Sequence, residues 1–228
     1  MPPKSTPTRR VDALRFRRRL LVWFGRHGRD LPWRRSRDPY RILVSEVMLQ
    51  QTQVSRVLEY YPRFLAAFPT LRRLATAAPA RVREEWDGLG YYRRAANLHR
   101  TAREVIARHA GSLPSEPGAL RELPGIGPYT AGAVASFAFE RPVPAVDTNV
   151  ARVLRRAFQP GLSRDGTGMR RIWELAAELL PRTGRAAWRF NQAIMELGAL
   201  VCTARVARCD GCPVQTECLT GRKRIPAE

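Results

Sequence analysis

The sequence predicts an all-α protein of about ten short helices. Three observations carry that expectation. Apolar residues recur three and four apart along most of the chain, Pro and Gly interrupt them at short intervals, and no run alternates apolar and polar residues as a half-buried strand does. The 228 residues suffice for one or two domains with a real core, and their 44% apolar and 26% charged content is an ordinary globular mix.

Residues 1–9, rich in Pro, Ser and Thr, read as disordered. A first amphipathic helix is expected from Val11 to Phe24, with Gly25 and Gly28 stopping it. Leu31-Pro32-Trp33 reads as a turn with an aromatic anchor. Asp38-Pro39 reads as an N-cap followed by Pro at the first helical position, opening a helix that runs from about Pro39 to Tyr60. Further helices are expected at about 70–77, 79–87, 91–109, 116–122, 128–138, 148–157, 168–180 and 186–200. There is no obvious internal repeat.

Charge narrows the function. Forty basic against twenty acidic residues leave +20, and each of the segments 1–30, 31–140 and 141–228 is net positive. The whole body is basic, so the simplest partner is a polyanion, with nucleic acid first. Only Lys4 and Lys223 are lysines, both near the ends; the rest are Arg, whose planar fork suits phosphate. Arg stays protonated, so a mechanism needing a central Schiff-base amine has no candidate. No uncharged apolar run reaches the ~20 residues needed to span a bilayer, and MPPKSTPTRR lacks the apolar stretch of a secretory signal. The expectation is a soluble, cytoplasmic, nucleoid-associated monomer with no membrane partner.

All four cysteines fall near the C-terminal end, as Cys202-x6-Cys209-x2-Cys212-x5-Cys218. Four thiolates in one tight loop can hold a tetrahedral zinc or an iron–sulfur cubane. Structural zinc sites usually use two short Cys pairs, and only one is present here, so the uneven spacing favours the larger cluster. The ending resembles the cluster loop of the endonuclease III/MutY branch of helix-hairpin-helix DNA glycosylases. That resemblance implies a 4Fe–4S cluster on Cys202, Cys209, Cys212 and Cys218, structural and associated with DNA binding. Arg205 and Arg208, inside the first loop, are placed to meet phosphate.

Leu123-Pro124-Gly125-Ile126-Gly127-Pro128-Tyr129-Thr130 lies between two expected helices. Both Gly residues can take positive φ, and the following helix N-terminus offers N–H groups to phosphate. On local evidence a plain helical hairpin competes with this reading. The string is similar to the helix-hairpin-helix element of the same glycosylases, which implies DNA contacts at Leu123, Pro124, Gly125, Ile126 and Gly127. Bifunctional members carry a Schiff-base Lys after the hairpin; here that position is Tyr129, so a monofunctional enzyme with little or no lyase activity is expected.

Glu46 sits in the apolar stretch Ile42-Leu43-Val44-Ser45-Glu46-Val47-Met48-Leu49. Burial favours its protonated form, as a general acid requires, although a core Glu held by an Arg has the same pattern. Gln50 and Gln53 then extend a polar stripe along Glu46's face. Asp147 precedes a helix and reads either as an N-cap or as a carboxylate near a developing cation.

Ser45-Glu46-Val47-Met48-Leu49-Gln50-Gln51-Thr52-Gln53-Val54 resembles the signature helix of MutY-type adenine DNA glycosylases, as do Gly88-Leu89-Gly90-Tyr91-Tyr92, Asn97-Leu98-His99 and Val146-Asp147-Thr148-Asn149. The resemblance covers about residues 20–220. It implies a monofunctional glycosylase of base excision repair, hydrolysing the N-glycosidic bond of adenine mispaired with 8-oxoguanine or guanine in double-stranded DNA. Glu46 would protonate adenine N7, Asp147 would stabilise the oxocarbenium ion, and Tyr129 and Asn149 would support that centre. Gln51 and Tyr91 would enter the base stack, since a paired base must be extruded before its bond is reached; Tyr92 reads as packing. The implied fold has two lobes: a six-helix barrel at 31–140 with the hairpin, and a cluster lobe of 1–30 and 141–228.

The chain ends ten residues after Cys218, where MutY-type enzymes commonly continue into a domain that recognises oxidised guanine. Base release is expected without it; an 8-oxoguanine preference is not implied. Tyr129 and the Val-Asp-x-Asn string also resemble the thymine glycosylases acting on G·T or G·U, and a non-catalytic DNA-binding iron–sulfur protein is a third reading.

Overall fold

The computed structural model describes residues 11–224, so Lys4 and the expected disordered stretch 1–9 lie outside the described residues. Those residues hold eleven α-helices, two short 3-10 turns and no strand; a single isolated bridge joins Cys202 and Ala207. No described helix is long and apolar enough to cross a membrane.

The chain divides into two compact units. One gathers residues up to Gly28, Asp147–Leu179 and Arg189 onward; the other gathers Arg29–Val146 and Leu180–Trp188. Residues 141–146 and 180–188 therefore group with the helices of 29–140, and not with the C-terminal segment where sequence reading puts them.

In the first unit, Asp12 caps α1 (Ala13–His27) by accepting from the Arg15 N–H at 2.9 Å. The helix runs through Gly25 and stops only at Gly28, where a Cβ would press on the Phe24 ring. Phe16 and Leu20 are fully buried, and Phe16 meets Phe158 edge-on at 4.9 Å. Phe158 ends α9 (Thr148–Phe158), which is followed by α10 (Gly166–Leu179), capped by Asp165. Helix α11 (Gly184–Leu200) starts in the other unit and ends in this one.

In the second unit, Asp38 accepts from the Tyr40 and Arg41 N–H groups at 2.8 and 3.1 Å, with Pro39 first in α2 (Pro39–Leu49). The expected helix to Tyr60 is instead two. Gln51 takes φ 57, and a new helix, α3 (Val54–Ala67), begins after Gln53. The physical reason lies elsewhere in the chain: the Arg94 guanidinium takes the carbonyls of Val47, Met48 and Gln50 that onward helical N–H groups would otherwise claim. Gln50 and Gln53 thus do not continue Glu46's face. They cap the end of α2 and the start of α3.

Helices α4 (Leu71–Thr76), α5 (Pro79–Glu85) and α6 (Arg93–Arg108) follow, around Trp86, Phe64, Leu74 and Leu98, each 2% exposed or less. Then come α7 (Pro117–Arg121) and α8 (Pro128–Phe139). Residues 130–137 of α8 are all buried and mostly small. That smallness permits close approach: a Cβ on Gly132 would run into the Pro144 carbonyl.

Candidate active site

Eight residues of α2 are buried, and Glu46, 4% exposed, is the one acid among them. A carboxyl so placed is costly unless hydrogen-bonded. The Tyr129 hydroxyl donates to Glu46 Oε2 at 2.6 Å. Tyr129 is in the first turn of α8, directly after the hairpin, so the turn positions the phenol against the acid. One residue further on, Gln50 Nε2 donates to Thr130 Oγ1 at 3.3 Å, so two side-chain bonds stitch the end of α2 to the start of α8.

The hairpin uses its residues unequally. Leu123 and Ile126 are buried, and the Thr101 hydroxyl takes the Pro124 carbonyl at 2.8 Å. These three fasten the turn, and the buried side chains of Leu123 and Ile126 are not on offer to a ligand, while Pro124 is half-buried. Of the two glycines only Gly125 is left-handed, at φ 76, and a Cβ there would meet Asn97 at 2.6–2.9 Å. Gly127 is extended, with open space beside it, and caps α8 without a side-chain bond. The exposed edge of the turn is therefore backbone at Gly125 and Gly127, a geometry suited to phosphate.

Gln51 and Tyr91 are both exposed and both left-handed, at φ 57 and 47. Non-glycine residues rarely adopt that backbone. One side chain holds both loops. Arg94, 9% exposed, donates to Val47, Met48 and Gln50 carbonyls on one side and to Leu89 and Gly90 carbonyls, each at 3.2 Å, on the other. It also donates to Thr52 Oγ1 at 3.0 Å and lies over the rings of Trp86 and Tyr91. Tyr92, expected to pack, is 38% exposed and donates to Asp87 at 2.5 Å.

In the first unit, Asp147 is both things the sequence left open. Oδ1 caps α9 by accepting from the Val150 N–H at 2.7 Å, while Oδ2 accepts from Asn149 Nδ2 at 2.7 Å. Burial raises its pKa above the ordinary carboxylate value, against the opposing pull of the Val150 N–H, Asn149 and the Arg152 charge. Asn149 is itself held by Arg152 at 2.6 Å, and Arg152 reaches on to the Gly198 and Cys202 carbonyls, both at 2.8 Å. A Cβ on Gly198 would strike Asn149 at 2.6 Å, so the glycine is what lets the two helices meet there.

The four cysteines are free thiols in one loop. Burial pushes the Cys212 thiol up to about 12, the Val214 N–H pulls against it, and the charges of Cys218, Cys202 and Cys209 add to the rise. Arg156 Nη1 lies 3.3 Å from Cys202 Sγ, and the Gly221 N–H points at Cys218 Sγ at 3.2 Å. Among the described residues no group of three or more His, Cys, Asp or Glu is arranged to hold a single metal ion. Arg205 and Arg208 are exposed on this loop.

Sequence reasoning did not single out Arg94, Arg152 or Arg156 among the many arginines. Arg94 alone left a signal: it lines up with Leu98, Thr101 and Val105 on the buried face of α6.

Residues 44–178 match the model of the HhH-GPD superfamily of base excision DNA repair proteins. The chain is 44% identical over 220 residues to the adenine DNA glycosylase of Rattus norvegicus, covering 91% of this chain and 42% of the rat protein. It is 46% identical over 196 residues to the adenine DNA glycosylase of Mycolicibacterium smegmatis, covering 86% and 66% of the two chains. It thus spans less than half the length of the rat protein and about two thirds of the mycobacterial one. Among solved structures it resembles a thermostable thymine-DNA glycosylase, with a TM-score of 0.84 at 30% identity over 92% of this chain and 97% of that one.

Proposed function

This chain belongs to the HhH-GPD superfamily of base excision DNA repair proteins, and from that premise we propose that it is a monofunctional adenine DNA glycosylase acting on double-stranded DNA. The observation that carries the reading is the Glu46–Tyr129 pair. A protein that only bound DNA would gain nothing from a carboxyl buried in an apolar helix and engaged by a phenol at 2.6 Å. Adenine is favoured over thymine because the relatives matched at 44–46% identity are adenine glycosylases, whereas the thymine-type structure matches at 30%.

In this reading the reaction hydrolyses the N-glycosidic bond and leaves an abasic site. Glu46 donates a proton to the departing base, turning it into a better leaving group. Tyr129 holds that carboxyl in place. Asp147, fixed by its cap bonds and by Asn149, offers negative charge to the sugar cation as the bond breaks. Gln51 and Tyr91 enter the base stack as the target base leaves it. The backbone edge at Gly125 and Gly127, together with Arg205 and Arg208, meets phosphates. No lysine lies between Lys4 and Lys223, so strand nicking through a Schiff base is not expected.

We assign a 4Fe–4S cluster to Cys202, Cys209, Cys212 and Cys218. The donor set fits: four free cysteines in one loop, with Arg156 and the Gly221 N–H directed at two of their sulfurs. When bound, the cluster supplies a structural fastening for the loop carrying Arg205 and Arg208.

The test is single-turnover base release from duplexes holding A opposite 8-oxoguanine, A opposite G, T opposite G and U opposite G. Alkali reveals abasic sites, and an untreated control reads lyase activity. Adenine release supports the reading. Release of T or U alone overturns the base assignment in favour of the thymine-type alternative. No release from any duplex, with DNA binding intact, overturns the enzyme reading.

A further inference from the structure

A groove of about 470 Å³ runs between α5 and α6, and nothing in the proposed reaction uses it. Its walls are apolar, from Val82 on α5 and Ala95 and Ala96 on α6. His99 lines it while only 6% exposed, and its Nε2, sealed from solvent, has no hydrogen-bond partner. A buried imidazole nitrogen without a partner is uncommon, because its lost hydration goes uncompensated.

The mouth is cationic. Arg93, Arg100 and Arg103 all line the groove from α6, and each is exposed. None of the three has an acidic partner among the described residues, although neighbouring Arg81 and Arg108 do. Tyr92 forms the end wall, with the Arg83 guanidinium 5.1 Å from its ring centre. Tyr92 and Arg93 also border the hollow that contains Gln51 and Tyr91.

We propose that this groove is a second nucleotide-binding site, separate from Glu46 and independent of the reaction assigned to it. A planar base fills the apolar slot, its phosphate pairs with Arg93, Arg100 and Arg103, and the His99 ring turns to bring its sealed Nε2 to the polar edge of the base. The size suits one nucleotide, and aromatic and guanidinium surfaces beside an unpaired cationic rim are what an unstacked nucleotide uses. An acidic peptide would satisfy the rim but leaves the imidazole and the apolar walls unexplained.

The experiment measures binding of dAMP, dTMP and fluorescein-labelled hexathymidylate to the full chain. Four proteins are compared: wild type, Ala96→Trp, Arg100→Ser/Arg103→Ser, and Arg182→Ser/Arg185→Ser. Ala96 is exposed, so the Trp fills the groove without entering the core. The last variant removes the same charge from another surface.

Saturable binding is expected, weakened about tenfold or more by the first two changes and less than about twofold by the third. The His99 ring proton should shift on titration with dAMP, against the only other imidazoles, His27 and His109. Tighter binding of hexathymidylate than of dTMP identifies the ligand as one unit of a single strand; equal binding identifies a free nucleotide. Equal loss in both double-Arg variants, an unmoved His99 signal, or displacement by polyglutamate but not by nucleotides overturns the proposal. Should Ala96→Trp not fold, the paired Arg variants and the His99 signal still decide.

Discussion

Gln51 and Tyr91 stand at the tips of two separate loops, both in left-handed backbone, and the Arg94 guanidinium holds both loops at once. Each residue costs roughly 1–2 kcal/mol in that conformation. The bonds from Arg94 offset this by satisfying carbonyls that the break after α2 leaves without helical partners. Two exposed side chains are thereby presented in a fixed relation, which is what a pair of wedges in a base stack needs.

Arg94→Lys should separate this role from simple packing. An ammonium has three donors and no fork, and cannot serve carbonyls on both sides. Stability in urea should fall by about 2–4 kcal/mol, as expected for leaving several buried carbonyls unpaired. Base extrusion, read by 2-aminopurine fluorescence in a duplex, should fall at temperatures where the variant is still fully folded. Normal extrusion in the folded variant would show that the two loops hold their shape without Arg94.

Glu46→Gln should reduce base release by about 10²–10⁴-fold with DNA affinity nearly unchanged, since the amide cannot donate the proton a general acid supplies. Tyr129→Phe should give a smaller loss, about tenfold, because the acid remains but loses the bond that orients it. Single-turnover rates and filter binding on the same duplex check both. A large loss of affinity in Glu46→Gln would reassign the residue to binding.

Local signals were readable in the sequence and long-range ones were not. The Asp38-Pro39 start of α2 and the Asp147 cap of α9 rest on neighbours within three residues, and both stand in the structure. Glu46 was visible as an acid in an apolar helix. Its pairing with Tyr129, a residue that only the family resemblance singled out, was not, because Tyr129 lies 83 residues away and nothing local in either segment encodes their meeting. The break after α2 was missed for the same reason: no Pro or Gly marks residues 50–53, and the group that stabilises the break is an Arg 44 residues beyond Gln50.

Gly125→Ala should destabilise the hairpin by about 1–3 kcal/mol, combining left-handed strain with a clash. The atoms a Cβ would strike are Nδ2, Cγ and Cβ of Asn97, so Asn97→Ala, which removes the first two and keeps Cβ at 2.7 Å, should relieve part of the clash and none of the strain. A double-mutant cycle from thermal or urea melts measures the split. Strict additivity would mean that Asn97 does not crowd the glycine.

Asp147→Asn sets function against stability. Burial raises the folded-state pKa of Asp147, so the folded protein holds that proton more tightly than the unfolded chain does. Its contribution is fully present below the ordinary carboxylate value of 3.8 and is lost as pH rises through the higher folded value. Above that window the ionised carboxylate is worse off folded than unfolded, whereas an Asn at the same position stays neutral and still caps α9 through its side-chain oxygen, at the cost of the bond that Oδ2 accepts from Asn149. The variant should therefore start below wild type in urea near pH 3.5, by the lost Asn149 bond, and gain on it as pH rises toward 7. Base release should be lost at every pH, because the neutral amide offers no charge to the sugar cation. Urea midpoints measured from pH 3.5 to 7 on both proteins decide it: a variant that falls further behind wild type as pH rises would mean that the ionised carboxylate stabilises the fold through the Val150 N–H, Asn149 and Arg152 more than burial penalises it.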